Sequence, residues 1–83
     1  MLTSNLSNIE IYIHGYRVEK AKSLLKSKLD SAPKGTRYIT VYHGFNRGTA
    51  LQTMVRKYKH PRINRIEIGL RNGETTYYLF IVR

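Results

Sequence analysis

Twice in this chain an apolar stretch stops at His-Gly followed by an aromatic residue, and twice a helical pattern starts within a few residues. Ile9, Ile11 and Ile13 alternate with Glu10, Tyr12 and His14; a period of two marks a strand with one apolar face. His14-Gly15-Tyr16 ends it. Val18, Ala21, Leu24, Leu25, Lys28 and Leu29 then fall at helical spacing, with Lys20, Lys22, Lys26 and Ser27 on the outer side, which predicts a helix over 17–31. Pro33 and Gly35 terminate it. The β-branched run up to Tyr42 predicts a second strand over 37–42, cut off at His43-Gly44-Phe45. A polar link, Asn46-Arg47-Gly48, leads into a second helix over 49–58, with Leu51, Met54, Val55 and Tyr58 on one face. Two strand–helix units in succession imply parallel strands joined by a right-handed helical crossover. If those strands are neighbours, both His-Gly pairs lie at the carboxyl end of one sheet, where open α/β sheets take their ligands.

His60-Pro61 stops the second helix, since the residue before proline avoids the helical region, and His60 itself reads as a solvated turn residue. Arg62–Leu70 is a third strand, with Ile63, Ile66, Ile68 and Leu70 apolar. Arg71-Asn72-Gly73-Glu74 forms a hairpin turn, because Asn-Gly accepts positive φ. Thr75–Val82 is the last strand and reads as apolar on both faces, which argues for an interior position in the sheet. The order βαβαββ gives an α/β (α+β) two-layer sandwich: a mixed four-stranded sheet with two helices on one face. The uncovered face carries Tyr12, Tyr38, Thr40 and Tyr42. Residues 1–8 are expected to be a flexible tail and 9–83 a single domain.

Fifteen Lys and Arg face five Asp and Glu among 83 residues, a formal charge of +10. That imbalance costs self-repulsion and points to a polyanionic partner. Nucleic acid, either RNA or structured DNA, is the expected partner. No stretch is long enough to span a membrane, and neither helix sets a wholly basic face against large apolar residues. The opening MLTSNLSN has no basic head followed by an apolar block, and the chain has no cysteine; a cytoplasmic protein is expected.

The junction around Val41–Gln52 supplies the chemistry. A strand, a glycine loop and a helix start aim backbone N–H groups and the positive helix end at one point, where phosphate commonly binds. Gly44, Asn46, Arg47, Gly48 and Thr49 form this cradle, joined by Arg56 and Lys57 on helix two. Gly15, Arg17 and Lys20 are the counterparts on helix one. Phosphate contacts of this kind give affinity without sequence choice. The carboxylates Glu10, Glu19, Asp30, Glu67 and Glu74 sit on different elements, and Glu10 lies about 13 Å from His14 by strand rise. Neither a metal site nor a cofactor is expected. His14 and His43 keep two readings. In one they cap the strand ends and hold the loops; in the other one takes a proton from a ribose 2′-hydroxyl while its partner donates to the leaving oxygen.

Ile11-Tyr12-Ile13-His14-Gly15, followed by Val18-Glu19-Lys20-Ala21 and Leu24-Leu25, resembles the first motif of the small MutS-related (Smr) domain, Leu-Asp-x-His-Gly and an amphipathic helix. His43-Gly44 with Gly48-Thr49-Ala50-Leu51 resembles the second, His-Gly-x-Gly-Thr-Gly. The resemblance covers about residues 9–82. It implies a fold similar to the C-terminal domain of bacterial translation initiation factor three, with the last strand inserted between the second and third, order 1-2-4-3. Smr domains bind DNA or RNA and several cleave it, so the resemblance implies a nucleic-acid-binding domain and an endonuclease using His14 and His43. Tyr12 stands where the motif has Asp, and Phe45-Asn46 replaces the x-Gly step; these departures bear on cleavage more than on binding. The alternative is a non-catalytic module, monomer or weak dimer, docking on a ribosome or another protein through the tyrosine face.

Overall fold

The computed structural model describes residues 8–44, 50–69 and 73–80. Six elements follow in the expected order: β1 (Asn8–Tyr12), α1 (Val18–Ser31), β2 (Tyr38–Tyr42), α2 (Ala50–Lys57), β3 (Ile63–Ile68) and β4 (Glu74–Leu79). The sheet order is β1-β2-β4-β3. β1 and β2 are parallel, Ile9 opposite Ile39 and Tyr12 opposite Tyr42. β4 runs antiparallel to both β2 and β3. The last strand is therefore interior, as expected, though not because both its faces are apolar. Thr75, Tyr77 and Leu79 are buried, while Glu74, Thr76 and Tyr78 on the other face are half-buried. Its interior place comes from hydrogen bonding on both edges.

The core gathers Ile11, Ile13, Ile39, Val41, Tyr77 and Leu79 from the sheet with Ala21, Leu25, Leu29 and Val55 from the helices. Burying a side chain of this size contributes about 1.5–3 kcal/mol. Ala21, Leu25 and Leu29 recur every four residues, so one stripe of α1 faces the sheet. Tyr77, at the centre, donates its hydroxyl to the carbonyl of Val55 at 2.6 Å. That satisfies a carbonyl in the last turn of α2, where helical partners run out. Burial pushes the Tyr77 phenol well above its usual range.

β3 departs from strict alternation. Ile63 pairs with Leu79 and Ile66 with Tyr77, with a register shift between Ile63 and Arg65. Ile66 comes three positions after Ile63, an odd step, so an extra residue is needed to point both at the helices. Ile68, on this edge strand, is 62% exposed.

The end of α1 is held from a distance. Arg62 donates Nη1 to the carbonyls of Leu29 and Ala32, at 3.1 and 2.7 Å, and Nη2 to that of Pro33 at 3.2 Å. These are carbonyls at and just beyond the last helical turn. His60 is not the solvated residue its position before proline suggested. Its side chain is only 10% exposed. Nδ1 accepts from the Arg62 backbone N–H at 3.1 Å, so Nε2 carries the proton and donates to Asp30 at 2.7 Å. Lys26 also binds Asp30, at 2.8 Å. The Lys26 ammonium, and after it His60, hold the Asp30 carboxyl below its ordinary range.

Candidate functional site

The two His-Gly pairs meet at one end of the sheet. Pairing of β1 with β2 ends at Tyr12 and Tyr42, and the Ile13 N–H continues it by donating to the Tyr42 carbonyl at 3.0 Å. His14 and His43 follow directly. Gly15 has φ +85° and Gly44 φ +73°, conformations that glycine adopts at little cost. At Gly44 there is a second reason: a Cβ there would collide with the His14 ring. The exposed His14 imidazole thus sits close against Gly44 of the other His-Gly pair.

His43 is almost fully buried, 3% exposed. Nδ1 lies 2.8 Å from the Gly44 carbonyl, which only accepts. The Nδ1 proton is thereby fixed, and Nε2, 2.9 Å from Thr75 Oγ1, accepts the threonine hydroxyl. Arg56 Nε donates to the same Thr75 oxygen at 3.1 Å. A chain of three hydrogen bonds thus runs from α2 through β4 to the loop after β2. Burial lowers the His43 pKa below its ordinary value, and the Arg56 charge adds to the effect.

The His43 and Gly44 amides are not open to an anion. Both donate to the carbonyl of Gly73, at 2.9 and 3.0 Å. The β3–β4 hairpin therefore braces this loop. Asn46, Arg47, Gly48 and Thr49, the heart of the expected cradle, lie outside the described residues.

Among the other expected residues, Arg17 is exposed at the N-cap position of α1 without a side-chain cap of its own. Lys20 sits 4.9 Å over the Tyr16 ring, which packs partly buried against the core. Tyr16 thus already carries a cation. Lys57 is exposed and lines a groove of about 720 Å³ between the helices, with Lys22, Lys59, Val18, Met54 and Tyr58. The site therefore brings together His14, Gly44, His43 and Arg56, with Gly15 beside them. Thr75 and Gly73 were not legible as site residues, because a threonine and a turn glycine announce nothing about long-range partners. Among the described residues no three His, Cys, Asp or Glu side chains are grouped to hold a metal ion.

No family model matches the sequence, and no curated protein matches it. A solved structure does: the Smr domain of Thermus thermophilus MutS2, with a TM-score of 0.76 over 87% of this chain and 98% of that one, at 20% identity. The chain has the fold of an Smr domain. In this Smr-like domain the inserted strand β4 brings Thr75 beneath His43, so the strand order builds the hydrogen-bond chain at the His-Gly end. No helix among the described residues is long and apolar enough to cross a membrane.

Proposed function

We propose that this Smr-like domain binds nucleic acid, RNA or structured DNA, with a phosphate held at the sheet end where the two His-Gly pairs meet. The observation that carries the reading is the packing of the exposed His14 ring on Gly44, beside an Arg56 held by Thr75. Arg17 at the N-cap of α1, Lys20 on α1 and Lys57 on α2 are exposed, and the chain's +10 charge supplies the long-range attraction. In this reading Arg47, with Asn46, Gly48 and Thr49, completes the phosphate contact from the loop before α2. Binding to single-stranded RNA and to branched DNA is expected to weaken with salt, with a log–log slope on the order of −3 to −5 for a few phosphates. Arg47→Ala should lower affinity equally for all sequences. Binding that ignores salt, or that is absent for both nucleic acids, overturns the proposal.

Cleavage is a second reading, favoured by one observation: the two histidines differ in exposure at a shared site. His14 faces solvent, while His43 has both ring nitrogens engaged. In this reading His14 takes the proton of a ribose 2′-hydroxyl, and His43 orders the loop and, once Thr75 releases Nε2 and a proton is taken up there, donates it to the leaving oxygen. Incubation of RNA and branched DNA with and without chelator tests it. Loss of product in His14→Ala supports the reading; equal rates for variant and wild type exclude it.

A further inference from the structure

The charge on this domain is divided between its two layers. The strands carry Glu10, Glu67 and Glu74 against one basic residue, Arg65. The helices carry Lys20, Lys22, Lys26, Lys28, Arg56 and Lys57 against Glu19 and Asp30. Three of the five carboxylates in the chain thus belong to the sheet. All three alternate with buried residues or pair across strands with outward ones: Glu10 between Ile9 and Ile11, Glu67 opposite Thr76, Glu74 opposite Tyr42. They share the face that no helix covers, together with Tyr12, Tyr38, Tyr42 and Tyr78.

Two units on this face have the same chemistry. On β1 and β2, the rings of Tyr12 and Tyr42 stack at 4.7 Å, 12° from parallel. Their hydroxyls donate to the two oxygens of Glu10, at 3.0 and 3.3 Å. The hydrogen bond to Glu10 raises the Tyr12 pKa, and burial followed by Glu10 raises that of Tyr42. Both phenols thus stay protonated as donors to Glu10. Among the described residues Glu10 has no cationic partner. On β3 and β4 the equivalent unit is filled. The Arg65 guanidinium lies 4.6 Å over the Tyr78 ring and reaches Glu67 at 3.2 Å. A guanidinium over a tyrosine face, tied to a carboxylate, is therefore a contact this surface already makes once.

We propose that the open sheet face is a docking surface for a basic, extended protein segment, which places an arginine or lysine over Tyr12 and Glu10 as Arg65 lies over Tyr78 and Glu67. Nucleic acid is disfavoured there by the sign of the charge. A second copy meeting it face to face is disfavoured by charge, because it would set the same carboxylates, Glu10, Glu67 and Glu74, against one another. Binding through a local acidic patch on a cationic protein has an unusual salt response. At low salt the net positive charge repels the peptide, and screening beyond a Debye length of about 10 Å removes that repulsion first.

The test uses the full chain and an Arg-Gly repeat peptide, with a Glu-Gly peptide and a single-stranded RNA as controls, followed by ring-proton NMR of the tyrosines. The Arg-Gly peptide is expected to shift Tyr12 and Tyr42, and Glu10→Gln to weaken its binding about fivefold, the scale of one cation–π contact with its ion pair. Tyr12→Ser should do the same, while Lys22→Ala leaves it unchanged. Raising salt from roughly 20 to 150 mM should leave peptide binding undiminished. The proposal is overturned if the peptide leaves these rings unmoved or if Glu10→Gln binds as well as wild type. It is equally overturned if the rings respond instead to RNA or to protein concentration alone.

Discussion

His43 sets a pH dependence whose sign follows from its surroundings. Nδ1 donates to Gly44 and Nε2 accepts from Thr75, so a second ring proton displaces the threonine hydroxyl and puts a charge beside Arg56. Burial is the main reason the folded pKa is lowered. The unfolded chain takes up that proton near the ordinary histidine value of about 6.5, and the folded one only at lower pH. Between the two values the unfolded state holds more protons, so stability rises with pH there. Thermal unfolding is expected at lower temperature as pH falls from about 7 to 5. His43→Gln keeps an acceptor for Thr75 and should flatten that slope; equal slopes contradict the assignment. A glycine pair isolates the contact between the two motifs. Gly15 and Gly44 both have positive φ, but a side chain at Gly15 meets open space and one at Gly44 meets the His14 ring. Alanine at either site costs about 1–2 kcal/mol of backbone strain. Gly44→Ala should melt lower than Gly15→Ala; equal melting temperatures would show that His14 does not rest there.

At the scale of elements, α1 depends on a residue thirty positions away. Arg62 binds the carbonyls of Leu29, Ala32 and Pro33. Arg62→Ala removes these charge-assisted bonds, each worth about 1.5–3 kcal/mol at most, and should lower the melting temperature by several degrees. Arg62→Lys should not restore it, because an ammonium lacks the planar fork; full rescue by lysine argues against the clamp. This link was illegible in the sequence, where Arg62 is one cation among fifteen. The same holds for His60 and Thr75, whose partners are remote along the chain. What could be read was local. The change of period from two to about three and a half at each His-Gly located β1, α1, β2 and α2 to within a residue or two. The parallel pairing followed from two strand–helix units in a row. The bulge in β3 left a trace, the three-residue step from Ile63 to Ile66, which the strand assignment passed over. The anion cradle was inferred from backbone amides in general. Of that cradle Gly44 has its amide engaged, since it donates, as the amide of His43 does, to the hairpin carbonyl of Gly73.

At the scale of the whole molecule, the fold sorts charge by layer and aligns its two histidine motifs at one edge. The parallel β1–β2 pair puts His14 against Gly44, and the inserted β4 ties His43 to Arg56 through Thr75. A cationic helix layer and a tyrosine-rich, locally acidic sheet face then give the molecule two chemically different sides. The central claim is that nucleic acid is held at the histidine edge of the first side. The most direct measurement is an NMR titration of the labelled full chain with a short single-stranded RNA, repeated at two salt concentrations. The expected result is that the His14 ring and the backbone amides flanking the two His-Gly pairs shift first, and that the shifts fade as salt is raised. Perturbations confined to the sheet face, or shifts at the histidine edge that persist unchanged in high salt, would contradict it.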